Sequence, residues 1–295
     1  MSKVFTWRSM LFVPIVNDRF IQSALKQPAD AIQLDLEDSI ALDQKEQARE
    51  RVASVAKLCH DQGGKDVIVR VNRPWRQLIR DIEASIGPHV QALTLPKVPN
   101  PAFVQSVAEI IDELETERGI PLGTTLLIVM VEDAEGLHNM HDIAAAHPRI
   151  CGLIVGAEDL AVSLQMAVTA DTLYVPNVMA VAACRRAGIA PIGFVGSVAD
   201  FADRDAFQKT VERGAALGFE GAFCIHPAQV AIANAAFAPS PEAVARARRL
   251  IAAFKEEEAK GRSACTFEGR MVDAPVVKQA QRIVEKGEAF GIAAL

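Results

Sequence analysis

Residues 127–137 read LIVMVEDAEGL. Five apolar residues, Leu127 to Val131, run directly into two acids, Glu132 and Asp133. Such a run belongs in an interior, and an ionised carboxylate at its end needs a partner, because burying a lone charge is costly. The run is a strand candidate, TLLIVMVE (125–132). Others share its character: SMLFVP (9–14), AIQLDLE (31–37), DVIVRVN (66–72), ALTLPKV (92–98), ICGLIVG (150–156), IAPIGFV (189–195) and GAFCIH (221–226). Between most of them lie stretches with helix-period apolar positions, such as DQKEQARERVASVAKLCH (43–60) and NPAFVQSVAEIIDELETERG (100–119). Polar or proline starts, and glycine ends such as Gly119, fit helix boundaries. This α/β alternation predicts a parallel sheet closed into a (β/α)8 TIM barrel, with an open doubly wound sheet as the alternative. No Gly-x-Gly-x-x-Gly follows the first strand, which weakens a dinucleotide-binding reading.

The chain of 295 residues suits two ordinary domains or one such barrel. Residues 1–237 read as the barrel and residues 238–295 as a C-terminal helical extension. In the extension, FAPSPEAVARARRLIAAFKEEEAKGRS gives a loop and a charged helix. CTFEGRMVDAPVVKQAQRIVEKGEAF gives a short turn-rich segment and another helix. Half the residues are hydrophobic and the net charge is −6, which argues against nucleic acid as the main partner. Cys59, Cys151, Cys184, Cys224 and Cys265 are scattered, without a Cys-x-x-Cys pair, and read as free thiols in a reducing compartment. The apolar run in MSKVFTWRSMLFVP is too short for a signal peptide or a membrane span, so the expectation is a cytoplasmic protein without a membrane partner.

In a barrel of this kind the chemistry sits at the C-terminal ends of the strands. Those ends carry Asp35, Glu37 and Asp38, then Arg70 and Asn72, Lys97, Glu132, Gly156 with Glu158 and Asp159, and His226. Glu132 and Asp159 are hard oxygen donors on adjacent strands. Two carboxylates, completed by water and substrate oxygens, suit Mg²⁺, and the lack of a Cys or His pair disfavours zinc. The competing reading of Glu132 is a salt bridge to Arg70 or Lys97. Arg70 is placed to hold a substrate carboxylate with its planar fork, or else to neutralise the DLED acids. GAEDLA (156–161) reads as a tight glycine turn opening a helix, with the N–H groups of Gly156, Ala157 and Glu158 free for an anionic oxygen. DLED (35–38) positions Arg70 from behind, or is a charged strand end with a helix cap. His226 before Pro227 binds a ligand or holds the end of strand eight in place; the structural role is favoured. Asp133 is a candidate cap for the helix starting near Ala134.

RSMLFVP (8–14), LDLEDSI (34–40) with DQKEQAR (43–49), VRVN (69–72), LPKV (95–98), VMVEDAEGL (129–137), GAEDLA (156–161), GFEGAFCIHPAQV (218–230) and MVDAP (271–275) occur in one order. In that order they resemble the citrate lyase beta subunit-like family, which includes citryl-CoA, malyl-CoA and citramalyl-CoA lyases. The resemblance implies a TIM barrel, a homotrimer or hexamer, Mg²⁺ and an acyl-CoA or keto-acid substrate. It implies that Glu132 and Asp159 hold the metal and that Arg70 binds the acid portion of the substrate. It also implies that Asp273, in a segment closing over a neighbouring subunit's site, is the catalytic acid/base. CoA is expected near GFEGAFCIHP. Four positions depart from the pattern: Asp133 stands for a usual Thr, Gln165 for a common Gly, Gly193 for a frequent Asp, and Ala222 for a usual Lys. The alternatives left open are a malate synthase-like condensation or thioesterase on the same site, a pyruvate-type aldolase without CoA, and a subunit of a citrate lyase complex or a paralogue without catalysis.

Overall fold

The computed structural model describes residues 4–199 and 203–292. The strand candidates form one parallel sheet: β1 (Ser9–Pro14), β2 (Ala31–Asp35), β3 (Asp66–Arg70), β4 (Ala92–Leu95), β5 (Leu126–Val131), β6 (Ile150–Val155), β7 (Ala190–Ile192) and β8 (Ala222–Cys224). Neighbours pair in chain order, and β1 also pairs with β8. The remaining gap closes where Ile192 bridges Gly221 and the Gly193 N–H donates to the Gly221 carbonyl at 2.8 Å. The sheet is therefore a barrel, and the open doubly wound alternative is set aside.

Helices follow the strands: α1 (Asp18–Leu25), α2 (Lys45–Gly63), α3 (Trp75–Ser85), α4 (Pro101–Glu117), α5 (Ala134–Ala144), α6 (Ala157–Leu164), α7 (Ala170–Ala187), α8 (Arg204–Leu217) and α9 (Pro227–Phe237). Their boundaries have local causes. Asn100 caps α4 by accepting the Phe103 N–H, Pro101 fills the first turn, and Gly119 beyond the end is left-handed. The strand cores are apolar and buried, as a sheet covered on both faces requires.

The two ends of the barrel differ. At the N-terminal end Arg149, which precedes β6, is buried with Glu115 of α4. The Glu115 carboxylate accepts the N–H groups of Gly123 and Thr125 at 2.8 and 2.7 Å, and Arg149 also donates to the Thr125 carbonyl at 2.8 Å. Arg149 also pairs with the more exposed Asp112, and an ion pair tied into the backbone at this end of the barrel reads as stability rather than chemistry. Inside the barrel Gln33 is level with Phe12 and Ile68, and its Oε1 accepts from the Thr94 hydroxyl at 2.7 Å. The next layer toward the C-terminal end aligns Pro14, Asp35 and Arg70. Polar groups accumulate from there upward.

The chain divides into two units, Trp7–Asn234 and the residues flanking that span. In the second unit α10 (Pro241–Glu258) and α11 (Ala274–Ala289) enclose a small core of Ala247, Leu250, Phe254, Val272, Val277 and Ala280. The segment expected to be only turn-rich holds an antiparallel hairpin, β9 (Cys265–Phe267) and β10 (Arg270–Val272). Its two-residue loop, Glu268–Gly269, is left-handed at both positions (φ 49° and 76°), the backbone that suits the twist of a hairpin. Strands this short leave no periodic signal in a sequence. Among the described residues no helix is long and apolar enough to cross a membrane. The five cysteines are free, with Cys59, Cys184 and Cys224 buried.

Candidate active site

Glu132 is the first residue beyond β5 and is 5% exposed. Its Oε2 accepts the Lys97 backbone N–H at 2.8 Å. Neither Arg70 nor Lys97 forms an ion pair with it, and among the described residues no other cation does, so the salt-bridge reading of Glu132 is not what forms. Burial foremost pushes its carboxyl up to about 7; the charges of Glu37 and Asp159 add to this, and the Lys97 amide opposes it. Asp159 stands in the first turn of α6, with its side chain 45% exposed. These are two oxygen donors on neighbouring strand exits, one of them buried and in no ion pair among the described residues. Among the described residues no three His, Cys, Asp or Glu side chains gather as a ligand set. That donor set fits Mg²⁺, which commonly takes one or two carboxylates and fills its remaining positions with water and substrate.

Gly156 has a different task from the expected one. Its φ is −80°, so no left-handed turn requires glycine, and its N–H is taken by the Val131 carbonyl at 3.0 Å. A Cβ at this position would lie 2.3 Å from Glu132 Oε1 and 2.6 Å from its Cγ. Glycine is there to let the Glu132 side chain pass. The expectation that the Gly156 amide binds an anion is thereby corrected. Ala157 and Glu158 open α6, which has no side-chain cap, and Glu158 accepts a hydrogen bond from the Ser197 hydroxyl.

Arg70 faces Asp35 across the β2–β3 ladder and donates to both its oxygens, Nε to Oδ1 at 2.7 Å and Nη2 to Oδ2 at 2.9 Å. Nη1 reaches Glu37 at 2.7 Å and Asp38 at 3.3 Å, and the guanidinium lies over the Phe12 ring. Burial raises the Asp35 carboxyl, but its Arg70 and Ser39 contacts and the Glu37 amide together hold it below the usual carboxylate range. Burial dominates at Glu37, pushing it up to about 7 against the pull of Arg70 and Lys97. Lys97 Nζ lies 3.4 Å from Glu37 and 3.6 Å from Asp159. The structure thus gathers Asp35, Glu37, Asp38, Arg70, Lys97, Glu132 and Asp159 at one end of the barrel.

Residues 8–227 match the HpcH/HpaI aldolase/citrate lyase family. The chain belongs to that family. It is 34% identical over 304 residues to L-malyl-CoA/beta-methylmalyl-CoA lyase of Cereibacter sphaeroides, covering 95% of this chain and 94% of that one. It is equally 34% identical, over 289 residues, to a (3S)-malyl-CoA thioesterase of the same species, covering 96% and 95%. Among solved structures, CitE of Mycobacterium tuberculosis in complex with magnesium, acetoacetate and coenzyme A aligns with a TM-score of 0.73 and 30% identity, covering 95% of this chain and 97% of that one.

The departures from the family pattern have local explanations. Asp133 caps α5 by accepting the Gly136 N–H at 2.7 Å, a role that Thr also fills, though less strongly. Gln165 ends α6 with φ 53°, the backbone that glycine adopts most readily. Gly193 has φ 126° and makes the barrel-closing hydrogen bond, a conformation that a side chain would strain. Ala222 is buried in β8, level with Ser9.

Three residues outside the expected set hold this rim in place. Lys45 Nζ donates to the Leu36 and Glu37 carbonyls at 2.7 and 2.6 Å. Buried Asp81 binds Arg49 at 2.6 Å and the amide of Asn72, whose side chain in turn donates to the Leu36 carbonyl. Gln229 accepts the Ile225 and His226 N–H groups and donates to the Val198 carbonyl, joining the exits of β7 and β8. All three reach back from helices, where nothing local marks them. His226 itself is exposed, and its Nδ1 accepts the Ala228 N–H at 3.2 Å at the start of α9. Asp273 lies in the second unit, as the N-cap of α11.

Proposed function

We propose that this chain is a Mg²⁺-dependent carbon–carbon lyase that cleaves, or in reverse forms, a 3-hydroxyacyl-CoA thioester of the malyl, citramalyl or citryl type. The observation carrying this reading is the buried carboxylate of Glu132, which forms no ion pair among the described residues, beside Asp159, in a chain 34% identical over nearly its full length to a malyl-CoA lyase. Glu132 and Asp159 would hold the Mg²⁺, which when bound polarises substrate oxygens and makes a neighbouring hydroxyl more acidic. Arg70 holds the substrate carboxylate. Asp35 fixes the plane of its guanidinium from within the sheet, and the carboxylate replaces Asp38, its longest-range and most exposed partner. A base takes the hydroxyl proton, the bond to the carbon beside the thioester breaks, and its electron pair passes into the acyl-CoA enolate. The resulting enolate takes a proton at carbon from Asp273, and in reverse Asp273 removes it. The N–H groups of Ala157 and Glu158, at the uncapped start of α6, orient the substrate oxygens. Asp35, Glu37, Asp38, Lys97 and His226 support these groups from behind. The working form is a cytoplasmic homo-oligomer, a trimer or hexamer, in which the segment carrying Asp273 closes over a neighbouring subunit's site; the free cysteines fit a reducing compartment.

Thioester hydrolysis is the second reading, favoured by the 34% identity to a (3S)-malyl-CoA thioesterase. Incubation with malyl-, citramalyl- and citryl-CoA in the presence of Mg²⁺ separates the two. The lyase releases keto acid together with an intact shorter thioester and no free thiol. Hydrolysis releases free thiol. Absence of keto acid from all three thioesters would remove the lyase reading.

A further inference from the structure

The side chain of Lys97 is the basic group nearest Asp159, and its position is built rather than incidental. Its backbone is left-handed at φ 50°, a conformation that a non-glycine residue adopts only at a cost. The turn is held on both sides: the Lys97 N–H donates to Glu132 Oε2 at 2.8 Å, and its carbonyl accepts from Arg73 Nε at 3.0 Å. Arg73 is itself fixed over the Phe103 ring, 4.1 Å from its centroid. One residue therefore clamps Glu132 with its amide and places its ammonium 3.6 Å from Asp159 and 3.4 Å from Glu37. The cluster holds five carboxylates (Asp35, Glu37, Asp38, Glu132, Asp159) and three cations (Arg70, Lys45, Lys97); Arg70 is committed to the first three acids, and Lys45 is tied to the Leu36 and Glu37 carbonyls beside them. Among the described residues, Lys97 is left as the positive charge within ion-pair reach of Asp159.

We propose that Lys97 is a tethered counter-cation that shares Asp159 with the divalent metal and is displaced from it when the metal binds. The inference rests on the assignment of Glu132 and Asp159 as the metal carboxylates. A unit charge within about 5 Å of a divalent ion weakens its binding even when well screened. Lys97 thus lowers metal affinity while keeping the acids compatible with one another in the metal-free protein. On release its ammonium turns to Glu37, already 3.4 Å away.

The test is a calorimetric titration of metal-free protein with Mn²⁺ and Mg²⁺, without substrate, for wild type, Lys97→Met and Asp159→Asn. Lys97→Met is expected to bind Mn²⁺ about tenfold more tightly than wild type and to have a lower melting temperature without metal, recovered on adding it. Unchanged or weaker affinity would overturn the displacement. Wild-type protein alone gives an independent reading: acetylation of Lys97, followed by mass spectrometry, should accelerate when Mn²⁺ is added, and an unchanged or slower rate contradicts the proposal. If wild type binds no Mn²⁺, the Glu132–Asp159 assignment fails and this inference with it. If Mn²⁺ binding is normal and lost in Asp159→Asn, while Lys97→Met matches wild type, only the role of Lys97 fails.

Discussion

At the scale of single residues, the site depends on one side chain and on one that is missing. Glu132 is buried at the end of an apolar strand, where a carboxylate is costly without a partner. Gly156 supplies the space it occupies. Gly156→Ala would set a methyl carbon 2.3 Å from Glu132 Oε1, so the carboxylate has to move. The expected outcome is a loss of Mn²⁺ affinity of about tenfold or more by titration, with a stability cost of about 1–3 kcal/mol from overpacking. An affinity within about twofold of wild type would show that Glu132 does not need its present position. The acids were legible as acids: LIVMVED separates Glu132, whose carboxylate accepts the Lys97 N–H, from Asp133, which caps α5. The need for glycine at 156 was not legible, because the sequence suggests a turn where the structure has a close approach. Arg70 was read with two roles in view, and the contacts it makes are those with Asp35, Glu37 and Asp38.

At the scale of elements, the strands were readable because a sheet covered on both faces demands continuous apolar runs. Their ends were not. AIQLDLE was read through Glu37, but β2 stops at Asp35; GAFCIH was read through His226, but β8 stops at Cys224. Lys45, Asp81 and Gln229 were missed because each acts over a distance in sequence that no local pattern records. The opposite end of the barrel carries its own prediction. Glu115 ties α4 to the starts of β5 and β6 through Thr125 and Arg149. Burial raises its carboxyl, but the Arg149 hydrogen bonds, with the Thr125 and Gly123 amides, hold it below its ordinary value of 4.5. A carboxyl lowered in the folded state adds stability above its unfolded value and loses it as the pH falls through the folded one. Glu115→Gln should therefore cost about 3 kcal/mol near neutral pH, since it leaves Arg149 underpaired. The gap to wild type should narrow as the pH drops below 4.5. Urea denaturation at a series of pH values measures it; a gap that stays constant into acid would contradict the assignment.

At the scale of the molecule, the barrel and the second unit answer different questions. The barrel gathers the acids, Arg70 and Lys97 at its C-terminal end, and the family match covers that part of the chain. The second unit carries Asp273 at the start of α11, preceded by a hairpin too short to leave a periodic signal in the sequence. The order of motifs from RSMLFVP to MVDAP allowed the family to be recognised, whereas composition alone gave only an acidic chain with a large core. The central claim is that this chain breaks a carbon–carbon bond with the aid of a metal held by Glu132 and Asp159. The most direct measurement is keto acid released from malyl-, citramalyl- and citryl-CoA, with Mg²⁺ and after its removal by EDTA. With Mg²⁺, at least one of the three should give its keto acid and the shorter acyl-CoA in equal amounts, with loss of both under EDTA that added Mg²⁺ reverses. No keto acid from any of the three with Mg²⁺, or undiminished release under EDTA, would contradict this reading.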